Sequence, residues 1–398
     1  MTGSIRCPGT VVRYVPLAAV LILSGCAQGI GPAVDWSLEG RVGQRTDADI
    51  NRGLDPGSQA ALLTNAVNAG LVLNAETLRA LFTADFGIAA RYHVGEDPEL
   101  AGTGDIDPRL NVNASYRMKT TTFGANGSIV VQPVESSETI GDAGTTDGSA
   151  TQISGSLGLS VTEVLDARNS ITLGLNSSIV EFSDDADDLT PTRTIGASTS
   201  WERAVTETST VTGRIGLRHF TSDNATGTRS QTLDLGVDLG HRRTPRHTVR
   251  LSAGVTAVRT IEEIAGTGPD LEVGFTGGFG LDYRLAAFNA GFDVTQSIEP
   301  SSVGALQAFS RLSARLAYDI NDLESLGLTF TASRRAPISG SGDTLDSLTI
   351  SPRYTWDLDA KTQMSLGYVF RVSRDSVEGT AIGHRIFVGL DHALGQPQ

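Results

Sequence analysis

The chain has 398 residues, a formal net charge of −14, 39% hydrophobic residues and 6% aromatics. The acidic balance excludes nucleic acid as a partner, because neutralising phosphates requires clustered Lys and Arg. With 45 Gly and abundant Ser and Thr, the composition points to an all-β chain with many turns and one crowded face.

The N-terminus reads as a targeting segment. Arg6 and Arg13 precede the apolar run VPLAAVLIL, Val15 to Leu23, which is too short to span a bilayer and has the length of a signal-peptide core. Leu23, Ser24, Gly25 and Cys26 follow. They resemble a bacterial lipobox, which implies a signal peptide of the lipoprotein type over residues 1–25 and a lipid on Cys26. A plain signal peptide cleaved nearby is the alternative. Removal of Cys7 leaves Cys26 as the sole mature cysteine, so no internal disulfide is expected. Residues 26–33 are then a short periplasmic tether, 34–394 the folded body and 395–398 a tail.

From residue 34 onward the chain alternates with period 2. In LEVGFTGGFGLDYR, residues 271–284, Leu271, Val273, Phe275, Phe279, Leu281 and Tyr283 share one face. Glu272, Gly274, Thr276, Gly278, Gly280, Asp282 and Arg284 share the other. Such a run is about twice the usual strand length, and when tilted it spans more than the roughly 25 Å apolar band of an outer-membrane barrel. Similar series recur through Leu63–Leu73, Leu157–Val161, Leu233–Leu239, Leu326–Phe330 and Ile386–Leu390, giving about eighteen strands, an even number. The pattern predicts a single transmembrane antiparallel β-barrel with both termini periplasmic. A soluble β-sandwich needs a second apolar face, and the Gly, Ser, Thr, Asp and Arg positions do not supply one. Trp36, Tyr92, Trp201, Tyr283, Tyr318 and Trp356 fall near strand ends, as an interfacial girdle requires.

The connections alternate in length. Tight links are expected at 74–76, 120–122, 166–168, 206–208, 244–246, 321–323 and 359–360. Longer, acidic ones are expected at 46–58, 95–107, 135–148, 183–190 and 337–344. Short turns on one side and long loops on the other are how outer-membrane barrels arrange their ends.

A barrel of this strand number encloses a water-filled lumen, so its inward residues decide function. Middle strands offer the acids Asp234, Asp238, Glu272, Asp282 and Asp293; later ones offer Arg311, Arg315, Arg335, Arg353, Arg371 and Arg385. Earlier strands add Arg41, Arg79, Arg91, Arg117, Arg214 and Arg218, opposed by Asp35, Glu39 and Asp85. A ladder of Arg forks suits carboxylate or phosphate groups moving between weak sites. The same charges paired across strands would do no more than solvate the interior.

Through this pattern the chain resembles Gram-negative outer-membrane β-barrels over nearly all of its mature length. With the lipobox and the Arg-rich interior, it is also similar to barrels associated with exopolysaccharide secretion. The resemblance implies an outer-membrane location, contact with outer-membrane lipid, and a channel passing hydrophilic solutes or exporting an anionic polysaccharide, with periplasmic export components as partners. A structural or interaction barrel without an open pore is the other class of reading.

Catalytic readings fail on spacing. His93, His219, His241, His247, His384 and His392 show no zinc-site spacing, and no GxSxG elbow occurs. SDDADD at 183–188 lacks the spaced ligands and Gly of a calcium loop, and GTGDID at 102–107 reads as a loop. No enzyme, cofactor or metal is expected.

Overall fold

The computed structural model describes residues 34–51, 61–96, 104–133, 151–183, 189–223, 228–262, 270–300, 306–338, 344–376 and 379–394. The signal segment, Cys26, the tether and the tail lie outside them, as does most of SDDADD.

Eighteen strands form in chain order. The first six are β1 (Asp35–Ile50), β2 (Ala61–Glu76), β3 (Ala80–Gly95), β4 (Gly104–Arg117), β5 (Thr121–Pro133) and β6 (Thr151–Val164). Next come β7 (Asn169–Phe182), β8 (Thr192–Thr206), β9 (Ser209–Ser222), β10 (Thr228–Thr244), β11 (His247–Glu262) and β12 (Asp270–Arg284). The ring is completed by β13 (Phe288–Pro300), β14 (Leu306–Asp319), β15 (Glu324–Pro337), β16 (Leu345–Asp357), β17 (Thr362–Asp375) and β18 (Gly379–Leu394). Each strand pairs antiparallel with its neighbours in sequence, and β1 also pairs with β18, which closes the sheet.

Closure removes every sheet edge, and it also fixes two unlike faces. On the outer face large apolar side chains stand exposed around the whole ring: Phe275 is 74% exposed, with Leu38, Ile106, Ile195 and Leu271 close behind. Soluble monomers rarely expose contiguous apolar patches above a few hundred Å². A single-chain, even-numbered closed barrel with such a belt is the outer-membrane type, and the belt is the surface that meets lipid. Tyr283, Phe288, Tyr318, Tyr354 and Trp356 gather toward the short-turn end of β12–β16, where rings meet the headgroup layer.

The inner face is small and polar. Cross-strand hydroxyl pairs stitch it together, including Ser128 with Ser156 at 2.7 Å, Thr162 with Thr172 at 2.9 Å and Ser333 with Ser347 at 2.6 Å.

At the short-turn end, six of the eight hairpins cap themselves with a side chain. Thr77, Asp166, Thr206, Thr244, Asn321 and Asp359 each accept the backbone N–H two residues along. These Asx- and ST-type bonds satisfy amides that leave the ladder. The opening of β1 and the close of β18 lie on this same side.

Several boundaries differ from the sequence-based expectation, three of them for one reason. The turn expected at 74–76 is shifted to 77–79, because Asn74 is still in the sheet, donating to Ser37 Oγ at 3.3 Å and accepting from Thr83 at 3.0 Å. β1 runs on to Ile50, through a stretch expected to be loop, because Asp47 and Asp49 face inward to arginines. β4 begins at Gly104, inside GTGDID, because Asp105 and Asp107 face His93 and Arg91. Arg79 is moved the other way, into a turn.

Candidate functional site: the lumen

Strand register sorts the inward residues into sectors. On β5–β8 the inward positions are almost wholly uncharged: Asn126, Ser128, Ser156, Ser160, Asn176 and Ser198 typify them, with Glu202 near the short-turn rim. These side chains offer hydroxyls and amides in rows and no fixed charge.

The next sector, β9–β13, is charged, and most of its charges are paired with one another. Arg218 donates through Nε to Asp234 Oδ2 at 3.0 Å, and Thr256 also donates to Asp234. Arg214 lies 3.4 Å from Asp238. Arg250 donates to Asp282 at 2.6 Å and to Asp293 at 3.4 Å. Gly236 makes room for this: a Cβ there would sit 2.6 Å from Arg214 Nε. Four of the five acids singled out from the sequence therefore already hold an arginine; the fifth, Glu272, faces inward opposite Val258.

On β14–β16 the inward arginines stand among Ser, Thr and Gly. Arg315 lies opposite Gly291 and Thr329, and Arg353 opposite Gly327 and Gly367. Arg311, between Thr295 and Ser333, shares their face. Arg311, Arg315 and Arg353 have no hydrogen-bond or ion-pair partner among the described residues. Arg335, one step further along β15, is stacked on Phe309 at 4.9 Å.

The last sector runs from β17 through the closure to β4 and is paired for the most part, although Arg109 and Arg117 on the inward face of β4 have no ion-pair partner among the described residues. Arg371 donates to Asp49 at 2.8 Å, Arg45 reaches Asp47 at 2.7 Å, and Arg385 lies 3.8 Å from Asp47. Arg45 also rides over the Phe387 ring at 4.0 Å, and that ring occupies the space a side chain at residue 367 would need, which is why glycine stands there. Further round, Arg91 meets Asp107 at 2.8 Å. The fully buried His93 sits 2.9 Å from Thr64 and 3.0 Å from Asp105. Sequence reasoning missed Arg45, Asp47, Asp49, Asp105, Asp107 and Arg250. The first three were legible, since they continue the odd-numbered series of Asp35, Glu39 and Arg41.

The six arginines of the expected ladder thus divide: Arg371 and Arg385 belong to the closure, Arg335 to Phe309, and three remain uncommitted. In a ring of eighteen strands, β14–β16 lie half a turn from β5–β8, so the uncommitted arginines face the uncharged wall. A cavity of about 1150 Å³ reaches into the lumen between Arg41, Asp85, Arg91 and Arg109 on one side and the turn residues Asp322 and Lys361 on the other. Among the described residues no group of His, Cys, Asp and Glu is arranged to hold a metal ion.

The fold is similar to several solved outer-membrane proteins. The crystal structure of OpdK from Pseudomonas aeruginosa shares 13% identity, with 90% of this chain and 99% of that one aligned and a TM-score of 0.48. OccK2 (OpdF) from Pseudomonas aeruginosa, solved in complex with glucuronate, shares 13% over the same shares of each chain, again at 0.48. OccAB4 from Acinetobacter baumannii shares 10%, over 90% of this chain and 98% of that one, at 0.47. No family model and no curated protein sequence matches the chain.

Proposed function

We propose that this barrel is an outer-membrane channel for small hydrophilic anions. The observation that supports this reading is the set of uncommitted guanidinium groups at Arg311, Arg315 and Arg353, facing a wall of hydroxyls and amides without fixed charge. An arginine already paired with a carboxylate offers a passing anion little, because its field is cancelled at short range; an unpaired one in water attracts an anion at 4 Å by about 1 kcal/mol. That is strong enough to enrich an anion and weak enough to release it, as conduction requires. Planar guanidinium forks favour carboxylate and phosphate over spherical ions, and the opposite wall can exchange hydrogen bonds with the solute's hydroxyls. An acidic polysaccharide would use the same strip, and block of small-ion current by an added uronate oligomer would mark it as cargo.

Purified protein in a planar bilayer tests the reading. Open-channel current with a reversal potential on the anion side is expected, shifting toward cations when Arg311, Arg315 and Arg353 are replaced together by Ala. Absence of current would make the chain a closed structural barrel, and an unmoved reversal potential would dismiss the arginine strip.

A further inference from the structure

The most basic run of the chain, HRRTPRH at His241 to His247, plays no part in the lumen reading. It forms the end of β10, the turn at Pro245 and Arg246, and the start of β11, on the short-turn rim. On the outer face just below that rim lies an apolar groove of about 510 Å³, lined by Trp201, Gly213, Ile215, Val237, Ala253 and Val255. Register explains the groove. Trp201 pairs with Gly213, Gly213 with Val237, and Val237 with Ala253, so two of four adjacent belt positions carry almost no side chain. A Cβ at Gly213 would meet nothing within 4 Å.

A depression in the lipid-facing belt is filled by hydrocarbon, and its neighbours choose which lipid supplies it. Arg203 stands on the same outer face two residues from Trp201, and His241 two residues beyond Leu239. Arg203, Arg243 and Arg246 are exposed, and neither Arg243 nor Arg246 has an ion-pair partner among the described residues. The acids of this rim are few: Glu202 faces inward by register, Glu207 sits in the adjoining turn, Glu163 on β6 accepts from Thr121, and Asp166, which feels Arg203, is occupied by its own turn amides.

We propose that this face is a binding site for an anionic phospholipid of the inner leaflet, with an acyl chain in the groove at Gly213 and Ala253 and the phosphate held by Arg203, Arg243 and Arg246. Each basic side chain near an anionic membrane surface contributes about 1 kcal/mol, so two of them discriminate anionic from zwitterionic headgroups by roughly tenfold or more. The site is independent of what the lumen carries.

Native mass spectrometry of the full barrel, mixed with equal amounts of phosphatidylglycerol and phosphatidylethanolamine of matched chains, reads it directly. The parent is expected to retain phosphatidylglycerol over phosphatidylethanolamine by roughly tenfold. The Arg243→Gln/Arg246→Gln pair should bring the ratio to near parity, while Arg243→Lys/Arg246→Lys keeps it. Gly213→Leu, which has room, should release lipid of both kinds while the protein still shows the gel shift of a folded barrel on heating. Equal retention of the two lipids by the parent, an unchanged ratio in the Gln pair, or a Gly213→Leu protein that keeps its lipid would each overturn the proposal.

Discussion

Arg371 on β17 reaches past β18 to donate from Nη2 to Oδ1 of Asp49 on β1 at 2.8 Å, so the closure of the barrel carries an ion pair between residues 322 positions apart. Both side chains are largely buried, with Asp49 4% and Arg371 18% exposed. Removing one partner leaves the other desolvated and uncompensated, at a cost of about 3–5 kcal/mol. Asp49→Ala is therefore expected to lower the temperature at which the barrel unfolds on a heat-shift gel. The double variant with Arg371→Leu should recover part of the loss. Strictly additive losses would show that the two groups do not interact.

The sectors predict opposite responses to similar mutations. Asp234→Asn releases Arg218 from its only acid among the described residues and should make the pore more anion-selective. Arg315→Ala, removing an uncommitted charge, should make it less so. Each change is expected to alter the permeability ratio by about twofold to fivefold, the size of one unscreened contact in water. Reversal potentials in asymmetric salt measure both, and shifts of the same sign would refute the division into paired and unpaired arginines.

Facing can be tested without a channel assay. Leu235 lies mid-strand on the outer face of β10, and Ser198 mid-strand on the inner face of β8. Leu235→Arg should cost about 2–4 kcal/mol for insertion near the bilayer midplane, whereas Ser198→Arg meets water. Refolding yield into liposomes separates them; equal yields would contradict the assigned faces.

Asp166 and Asp359 cap their turns with carboxylates held below the usual range. Backbone N–H donation, from Arg168 and from Lys361 respectively, is the largest cause in each case. For a carboxylate with a depressed folded-state pKa, the stabilising effect is complete above the unfolded value, near 3.9. It is lost as pH falls through the folded value. The amides of Arg168 and Lys361 should keep their protection at pH 5 and lose it in stronger acid, and Asp166→Ala should lose it at every pH. Hydrogen exchange on these two hairpins is the measurement.

Most of the fold was legible because lipid imposes a simple rule: each second residue within the hydrocarbon band is apolar, and β12 shows it from Leu271 to Tyr283. What misled at Thr46–Asp49, Asn74 and Asp105–Asp107 was polarity itself. In a soluble protein a run of Asp, Asn and Thr marks a loop, but in a wet-centred barrel it also marks a strand's inner face. The partition of the lumen was less legible. Which arginine meets which acid depends on register between strands, and a one-residue slip would exchange the inner set for the outer. Thus Arg371 and Arg353 look alike in sequence, while only register assigns one to Asp49 and leaves the other without a partner among the described residues.

All neighbours in this ring but one are also neighbours along the chain. Loop-closure entropy is therefore small for seventeen pairings and concentrated in the meeting of β1 with β18. Assembly can proceed as a growing row of hairpins, six of them closed by an Asx or ST turn, with ring completion as the long-range event. The ionic contacts of Asp47 with Arg385 and of Asp49 with Arg371 cross that junction, so they latch the one pairing of the ring that chain connectivity does not hold.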